Sequence, residues 1–316
     1  MYDDPFDAAL ATFPAEARAR IEEALSAAPV IPADVAAAVA AGLDIEVGRL
    51  MMMLLPVAAS FARVPISGYH VGAVALGMPP GSLYLGSNME FTGQALSFCV
   101  HGEQSATNNA WLHGEAGLQA LAVNAAPCGH CRQFLYELVT ATKGFNILLG
   151  AEGANDHSYT AHPLTYYLPD AFGPQNLDNP SAPSSSRMES VGGLMEVEDH
   201  GLTLTSPAPL VAEALAAANA SYSPYTSDYS GVAVETSRGA VYAGRYAENV
   251  AYNPSMSPLE SALAFMSMNE VAQVPYDIAA AVLVEAAGSK ASQLSATQAV
   301  LSSVAPGVAV QHVVAS

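Results

Sequence analysis

The chain has 316 residues, 51% of them hydrophobic, enough for a large core and for two domains or more. Its formal charge is −19 and it contains only two lysines, Lys143 and Lys290. Such a surface repels phosphate backbones, which excludes nucleic-acid partners and favours a small neutral substrate, and the same charge keeps an alanine-rich chain in solution. Three cysteines argue against a disulfide framework and for a reducing compartment. The start, Met1-Tyr2-Asp3-Asp4, is acidic and unlike a signal peptide. The apolar run Met51–Leu55, bounded by Arg49 and Arg63 and broken by Pro56, is too short to span a bilayer. A cytoplasmic protein without membrane contact is expected.

Residues 1–60 read as helical. Pro14 opens a helix with Ala17, Ile21 and Leu25 at helical spacing, and Pro32 opens another through Val35, Val39 and Leu43. The triple methionine Met51-Met52-Met53 reads as core filling. From Ile66 the pattern changes. His70–Leu76 and Ser82–Leu85 read as strands joined by Pro79-Pro80-Gly81. A helix is expected from Gly102 to Leu112, a strand over Leu118–Val123, a helix over Cys128–Leu138 and a strand over Phe145–Leu149. The order β-β-α-β-α-β implies an α/β fold in which helices cover a mixed sheet. Residues 151–190 read as loop, with a linker composition over 178–186.

A second block, from Pro207 onward, echoes the first. Gly72 and Gly231 open similar apolar strands 159 residues apart, Gly86 and Gly244 lie 158 apart, and Glu103 and Glu260 lie 157 apart. The expected organisation is a helical region over 1–60, a zinc-bearing domain over 61–152, a linking segment over 153–206 and a degenerate copy over 207–316. On this alignment the copy has Pro258 where the first block has His101, and no cysteine follows Cys131, so one metal per chain is expected.

The chemistry concentrates between Asn88 and Phe134. His101, Cys128 and Cys131 supply one imidazole and two thiolates, a three-ligand set that leaves a fourth position open on zinc. Two thiolates balance the metal's two charges, and a helix start favours the thiolate form. Glu103 is not needed as a ligand and is placed to shuttle protons. A Cys-x-x-Cys alone could be a redox pair or half of a structural zinc site, with Cys99 or His130 as a fourth ligand. The triplet His113-Gly114-Glu115 repeats His101-Gly102-Glu103, but at about 1.5 Å per residue it lies roughly 18 Å further along a helix. It reads as surface at a helix end, with Gly117 as the stop.

His-x-Glu followed by Pro-Cys-x-x-Cys is the pattern of the zinc deaminases of nucleosides and nucleobases. The segments Asn88-Met89-Glu90-Phe91, His101–Ala106 and Pro127–Phe134 resemble the two-domain homodimeric cytidine deaminases of bacteria and plants. Tyr167–Pro174 is similar to that family's inter-domain segment, and Tyr246–Asn249 with Asn253-Pro254 to its inactive domain. The resemblance implies a three-layer α-β-α cytidine-deaminase-like domain with a mixed sheet, duplicated, plus a small N-terminal helical domain. It implies one Zn2+ per chain on His101, Cys128 and Cys131, with Glu103 catalytic. It also implies substrate contacts from the segment Asn88, Met89 and Glu90, from Tyr69 stacked on the base, and from the backbone of Gly102 and Ala126. Ala251 and Tyr252 would close the pocket of a partner subunit. The implied reaction is hydrolytic deamination of cytidine and 2′-deoxycytidine. A deaminase of another base, or a non-catalytic zinc-stabilised interaction protein, are the alternatives. The chain departs from the family at Tyr69, where Phe is common, at His70, and at Gly102, where Ala is usual.

Overall fold

A computed structural model describes residues 4–151, 156–177, 192–196, 198–269 and 276–316. The linker reading over 178–186 lies outside them. Residues 4–60 form four helices: α1 (Pro5–Leu10), α2 (Ala15–Ala27), α3 (Ala33–Gly42) and α4 (Val47–Ala59), with a short strand β1 (Val30–Ile31) between α2 and α3. Pro56 does not break the apolar run, because α4 continues through it to Ala59. Met51 and Met52 are buried in the core these helices share with one face of a sheet.

That sheet is built from β1, β2 (Gly72–Gly77), β3 (Leu83–Ser87), β4 (Leu118–Val123), β5 (Asn146–Gly150) and β6 (Tyr159–Pro163), in the order β1-β3-β2-β4-β5-β6. The β4–β5 pair is parallel and the others antiparallel, so the sheet is mixed. Side chains alternate between its faces, as the two-residue strand period requires. Val74, Ala120 and Ala122 meet the N-terminal helices, whereas Ala73, Ala75, Leu121 and Val123 enter the central core. Two helices, α5 (Gly102–Leu112) and α6 (Gly129–Leu135), follow β3 and β4. Strand β6 and the short helix α7 (Leu164–Tyr167) correct the reading of 151–190 as loop. The polar and aromatic residues of β6 show little alternation because it is a half-exposed edge strand.

The second half repeats this plan with α8 (Pro209–Asn219), β7 (Ser230–Glu235), β8 (Val241–Arg245), α9 (Pro258–Asn269), β9 (Ala280–Ala286), α10 (Leu294–Val304) and β10 (Val310–Ala315). Its sheet runs β10-β9-β7-β8, with β7 antiparallel to β8 and β9, and β9 parallel to β10. This is the topology of β3-β2-β4-β5, so the fold is a duplicated three-layer α-β-α unit. Gly86 and Gly244 occupy the same place in the two copies. A side chain on either would collide with the backbone nitrogen of Ala106 or Ala262 in the helix packed above.

The copies meet through α5 and α9. Helix α5 is buried almost along its whole length, including Gln104, Ser105, Thr107, Asn108 and Asn109. The amides of Gln104, Asn108 and Asn109 find partners, whereas Ser105 Oγ, Thr107 Oγ1 and Asn109 Oδ1 have none among the described residues. Asn108 Nδ2 donates to Ser261 O at 3.0 Å and Ser261 Oγ donates back to Asn108 Oδ1 at 2.6 Å, while Asn109 Nδ2 donates to Pro29 O and Leu85 O, each at 2.8 Å.

The hydrogen bonds correct the sequence alignment of the copies. His101 O accepts from Ser105 N, and Ser257 O accepts from Ser261 N. Gln104 Oε1 accepts from His101 N, and Glu260 Oε2 accepts from Ser257 N. His101 therefore corresponds to Ser257, not Pro258; Glu103 corresponds to Leu259, and Glu260 to Gln104. The cause is a loop of different length. The bridge Met89–Val100 spans a longer segment than its counterpart Ala247–Met256. The copy thus lacks a counterpart of Glu103 as well as the metal ligands.

Candidate active site

His101 stands immediately before α5 and Cys128 immediately before α6, with Cys131 inside α6. Both helices point their starts at one spot. Cys128 Sγ lies 3.6 Å from His101 Nδ1 and 3.7 Å from Cys131 Sγ, and the three donors lie within 4.8 Å of one another. A tetrahedral zinc with bonds of about 2.3 Å to sulfur and about 2.0–2.1 Å to nitrogen separates S from S by roughly 3.8 Å and S from N by roughly 3.6 Å. Both distances from Cys128 match these values. Cys99 is not part of this group, and the His130 ring stacks on His101 with centroids 5.3 Å apart. Among the described residues no other group of His, Cys, Asp and Glu has this spacing.

Two thiols this close cannot both ionise readily without a cation. Hydrogen bonding from Cys131 and His101 pulls the Cys128 thiol down to about 3, while Cys128 and burial push Cys131 far up. A divalent metal removes that conflict. Glu103 is 4% exposed and lies against Cys131. Burial raises its pKa above the ordinary carboxylate range, against the lowering effect of its own backbone and of His101. This is a carboxyl held dry beside the metal donors, suited to giving and taking a proton.

Residues the sequence reading passed over hold the ligand segments in place. Gln104 caps the backbone of His101 at 3.1 Å, a signal legible as an amide three residues after a helix start. Arg132 Nε donates to Pro127 O at 2.7 Å and its Nη1 to Tyr167 O at 2.9 Å, fixing the turn before Cys128. The decoy triplet is confined to the far end of α5. Gly114, at φ +80°, is the helix stop in place of Gly117, and Glu115 is tied to Tyr84 Oη at 3.0 Å.

The remaining residues expected at the site fall into two groups. Met89 is buried and pairs with Val100 through bonds of 2.8 and 2.9 Å, an antiparallel bridge that sets Asn88 opposite His101 and Glu90 opposite Cys99. Asn88 Oδ1 accepts from Val71 N and its Nδ2 donates to Tyr69 O, both at 2.9 Å. Asn124 Nδ2 donates to His70 O at 3.0 Å, so the 69–72 segment also abuts the one leading to the exposed Ala126. Tyr69 is 58% exposed. Gly102 is buried against Val71. Ala251 and Tyr252 lie apart. Their turn is fastened to the far end of α6 in the same chain, and Tyr252 is 60% exposed.

Glu90 is not a free loop carboxylate. It accepts from Ile66 N at 2.8 Å, Ser67 N at 3.0 Å and Ser67 Oγ. Burial opposes its ionisation, but those bonds outweigh burial and hold its pKa below the ordinary value. Glu248 makes the same clamp in the copy, accepting from Tyr225 N at 2.7 Å, Thr226 N at 3.2 Å and Thr226 Oγ1 at 2.7 Å. The clamp is therefore a feature of the duplicated fold, present where no metal can bind.

A duplicated three-layer α-β-α fold with a His-Cys-Cys donor set and a buried carboxyl beside it defines a zinc-dependent deaminase. The profile described as "Cytidine and deoxycytidylate deaminase zinc-binding region" matches residues 46–145, and a second profile of the same description matches 164–298. The chain is 45% identical over 266 residues to a cytidine deaminase of Shewanella sediminis, covering 84% of this chain and 82% of that protein. It is 44% identical over 269 residues to one of Vibrio cholerae, covering 85% and 83%. Among solved structures it is similar to the cytidine deaminases of Mycobacterium tuberculosis (28% identity, TM-score 0.33, 39% of this chain and 95% of that one) and Burkholderia pseudomallei (26%, 0.33, 39% and 97%). The chain belongs to the cytidine deaminase family. Among the described residues no helix is long and apolar enough to cross a membrane.

Proposed function

We propose that this chain hydrolyses cytidine and 2′-deoxycytidine to uridine and 2′-deoxyuridine, releasing ammonia, in the cytoplasm. The observation that carries the reading is Glu103, a buried carboxyl that is not a ligand, set against a donor triad spaced for zinc. A structural metal site has no use for such a group. When bound, zinc supplies the Lewis acidity that lets water act as a nucleophile near neutral pH. His101, Cys128 and Cys131 hold the metal. Glu103 takes the proton given up by water at a carboxylate oxygen and delivers it to the ring nitrogen beside C4. It then takes the proton of the new C4 hydroxyl and passes it to the departing amine as the C4–N bond breaks, so one water is consumed, one ammonia leaves and C4 becomes a carbonyl.

Asn88 and Glu90, on either side of Met89, hold the ribose 3′-hydroxyl. Asn88 keeps an N–H, and Glu90 Oε1 an acceptor position, beyond the bonds they already make. Glu90 also repels a phosphate in that place, in keeping with the acidic surface and a free nucleoside. Tyr69 lies against the base, and the backbone of Gly102 and Ala126 reads its edge. The active form is a homodimer in which Ala251 and Tyr252 of each chain close the other's pocket. Residues 61–152 form the working domain and 207–316 its degenerate copy, joined through 153–206 and preceded by the helical region 1–60. Loss of the cytidine absorbance band on adding zinc-loaded protein, with Glu103→Ala silent, is the expected result. Full zinc occupancy without cytidine turnover overturns the reading.

A further inference from the structure

Helix α6 carries Cys131 near its start and is followed by Glu137, which is 1% exposed. Glu137 takes no part in the zinc group. Its carboxylate accepts from Tyr222 Oη at 2.8 Å, from Tyr225 Oη at 3.0 Å and from Val250 N at 2.7 Å. All three donors belong to the second domain. Tyr222 Oη also accepts from Gly193 N at 3.1 Å, and Leu194 N donates to Glu137 O at 3.0 Å, so the segment entering the second domain is pinned to the same residue. One turn earlier on α6, Gln133 O accepts from Asn249 Nδ2 at 2.9 Å. Asn249 Oδ1 in turn accepts from Ala251 N at 3.0 Å. The chain then passes through Tyr252 at φ +63°, with its ring exposed.

The turn 249–252 is thus suspended from the helix that carries a zinc ligand, by one side-chain carboxylate and one backbone carbonyl. It hangs from the end of α6 away from Cys128. The helix has seven residues and is about 10 Å long. Both anchors, Gln133 and Glu137, follow Cys131 along the chain.

We infer that Glu137 is a positioning residue that acts in trans: it sets the Ala251–Tyr252 wall that one chain presents to its partner's zinc site. The inference rests on the shared-site reading given under Proposed function. One helix then holds a metal ligand for one pocket and hangs the wall of the other, so the two pockets are mechanically joined through α6.

Glu137→Gln tests this, because the amide keeps one acceptor oxygen but turns an N–H toward groups that donate. Its homodimer should hold one zinc per chain and show a KM for cytidine raised about 10- to 100-fold, with a smaller change in kcat. Tyr222→Phe with Tyr225→Phe removes two donors and is the second variant should Glu137→Gln fold poorly. The deciding measurement mixes either variant with Glu103→Ala. The only live zinc site in that hybrid lies on the Glu137-variant chain, and its wall comes from a chain with Glu137 intact. A KM restored to the parent value supports action in trans. A KM still raised in the hybrid, or unchanged in the variant homodimer, overturns it. A companion mixture of Glu103→Ala with Ala251→Asp/Tyr252→Ala separates the two levels. No activity there, with subunit exchange proven, sinks the shared site and this inference with it. Activity there with a raised KM in the Glu137 hybrid sinks this inference alone.

Discussion

Replacing Glu260 by Gln would put into the second domain the residue type that the first domain already holds at the same position, Gln104. Glu260 is fully buried, and burial pushes its pKa from 4.5 up to about 8 against the lowering effect of its bonds to Ser257. The folded chain therefore keeps a proton that the unfolded chain loses as pH rises past about 4.5. Between that pH and about 8 the native state binds more protons, so stability falls as pH rises. At 1.36 kcal/mol per unit, the full difference is on the order of 5 kcal/mol, reached near pH 8 and constant above it. Gln cannot ionise. Its amide oxygen can accept from Ser257 N, as Gln104 accepts from His101 N. The variant should match the parent at pH 5 and exceed it by several kcal/mol at pH 9. The only tryptophan, Trp111, reports the contact: it is buried on α5, and the Arg245 guanidinium of β8 lies 5.2 Å from its ring. Urea titrations followed by its fluorescence at pH 5, 7 and 9 give the midpoints, with an unchanged slope as the sign that only stability has moved. A parent–variant difference that is the same at pH 5 and 9, or a variant weaker at pH 9, refutes the assignment of a buried neutral carboxyl.

Two further outcomes are expected. Gly102→Ala places a methyl 2.8 Å from Val71 Cγ1, and the stiff valine cannot swing aside freely. Overpacking of about 1–3 kcal/mol should exceed the helix gain of at most about 1 kcal/mol, and Val71→Ala in the same chain should remove the penalty; additive effects in a thermal double-mutant cycle count against the contact. Glu90→Gln should speed amide hydrogen exchange at Ile66 and Ser67 and raise the KM for cytidine, whereas Glu248→Gln should lower stability by about 1–3 kcal/mol and move KM less. Equal KM effects from the two would separate Glu90 from the sugar.

The decoy triplet shows how far spacing can be read. His113-Gly114-Glu115 has the right letters, but one helix cannot present both triplets to one point, and Gly114 proves to be the stop itself. The misaligned copy shows the opposite case. Matching Glu103 to Glu260 pairs like with like, but backbone bonds pair positions, and these put Leu259 opposite Glu103. Nothing local in the sequence marks where the loop between the two anchoring bridges changes length. Strand β6 was equally hidden, since an edge strand with one neighbour needs little apolar alternation.

The sequence alone determined the metal donors, the unligated carboxyl and the duplicated β-β-α-β-α-β order. These depend on residue type and short spacing, which a chain carries in any conformation. Only the tertiary structure decided the register between the copies, the twin clamps of Glu90 and Glu248, and the suspension of the 249–252 turn from Glu137. Those depend on which distant backbone groups find each other when polar atoms are buried together, and no local pattern encodes that choice.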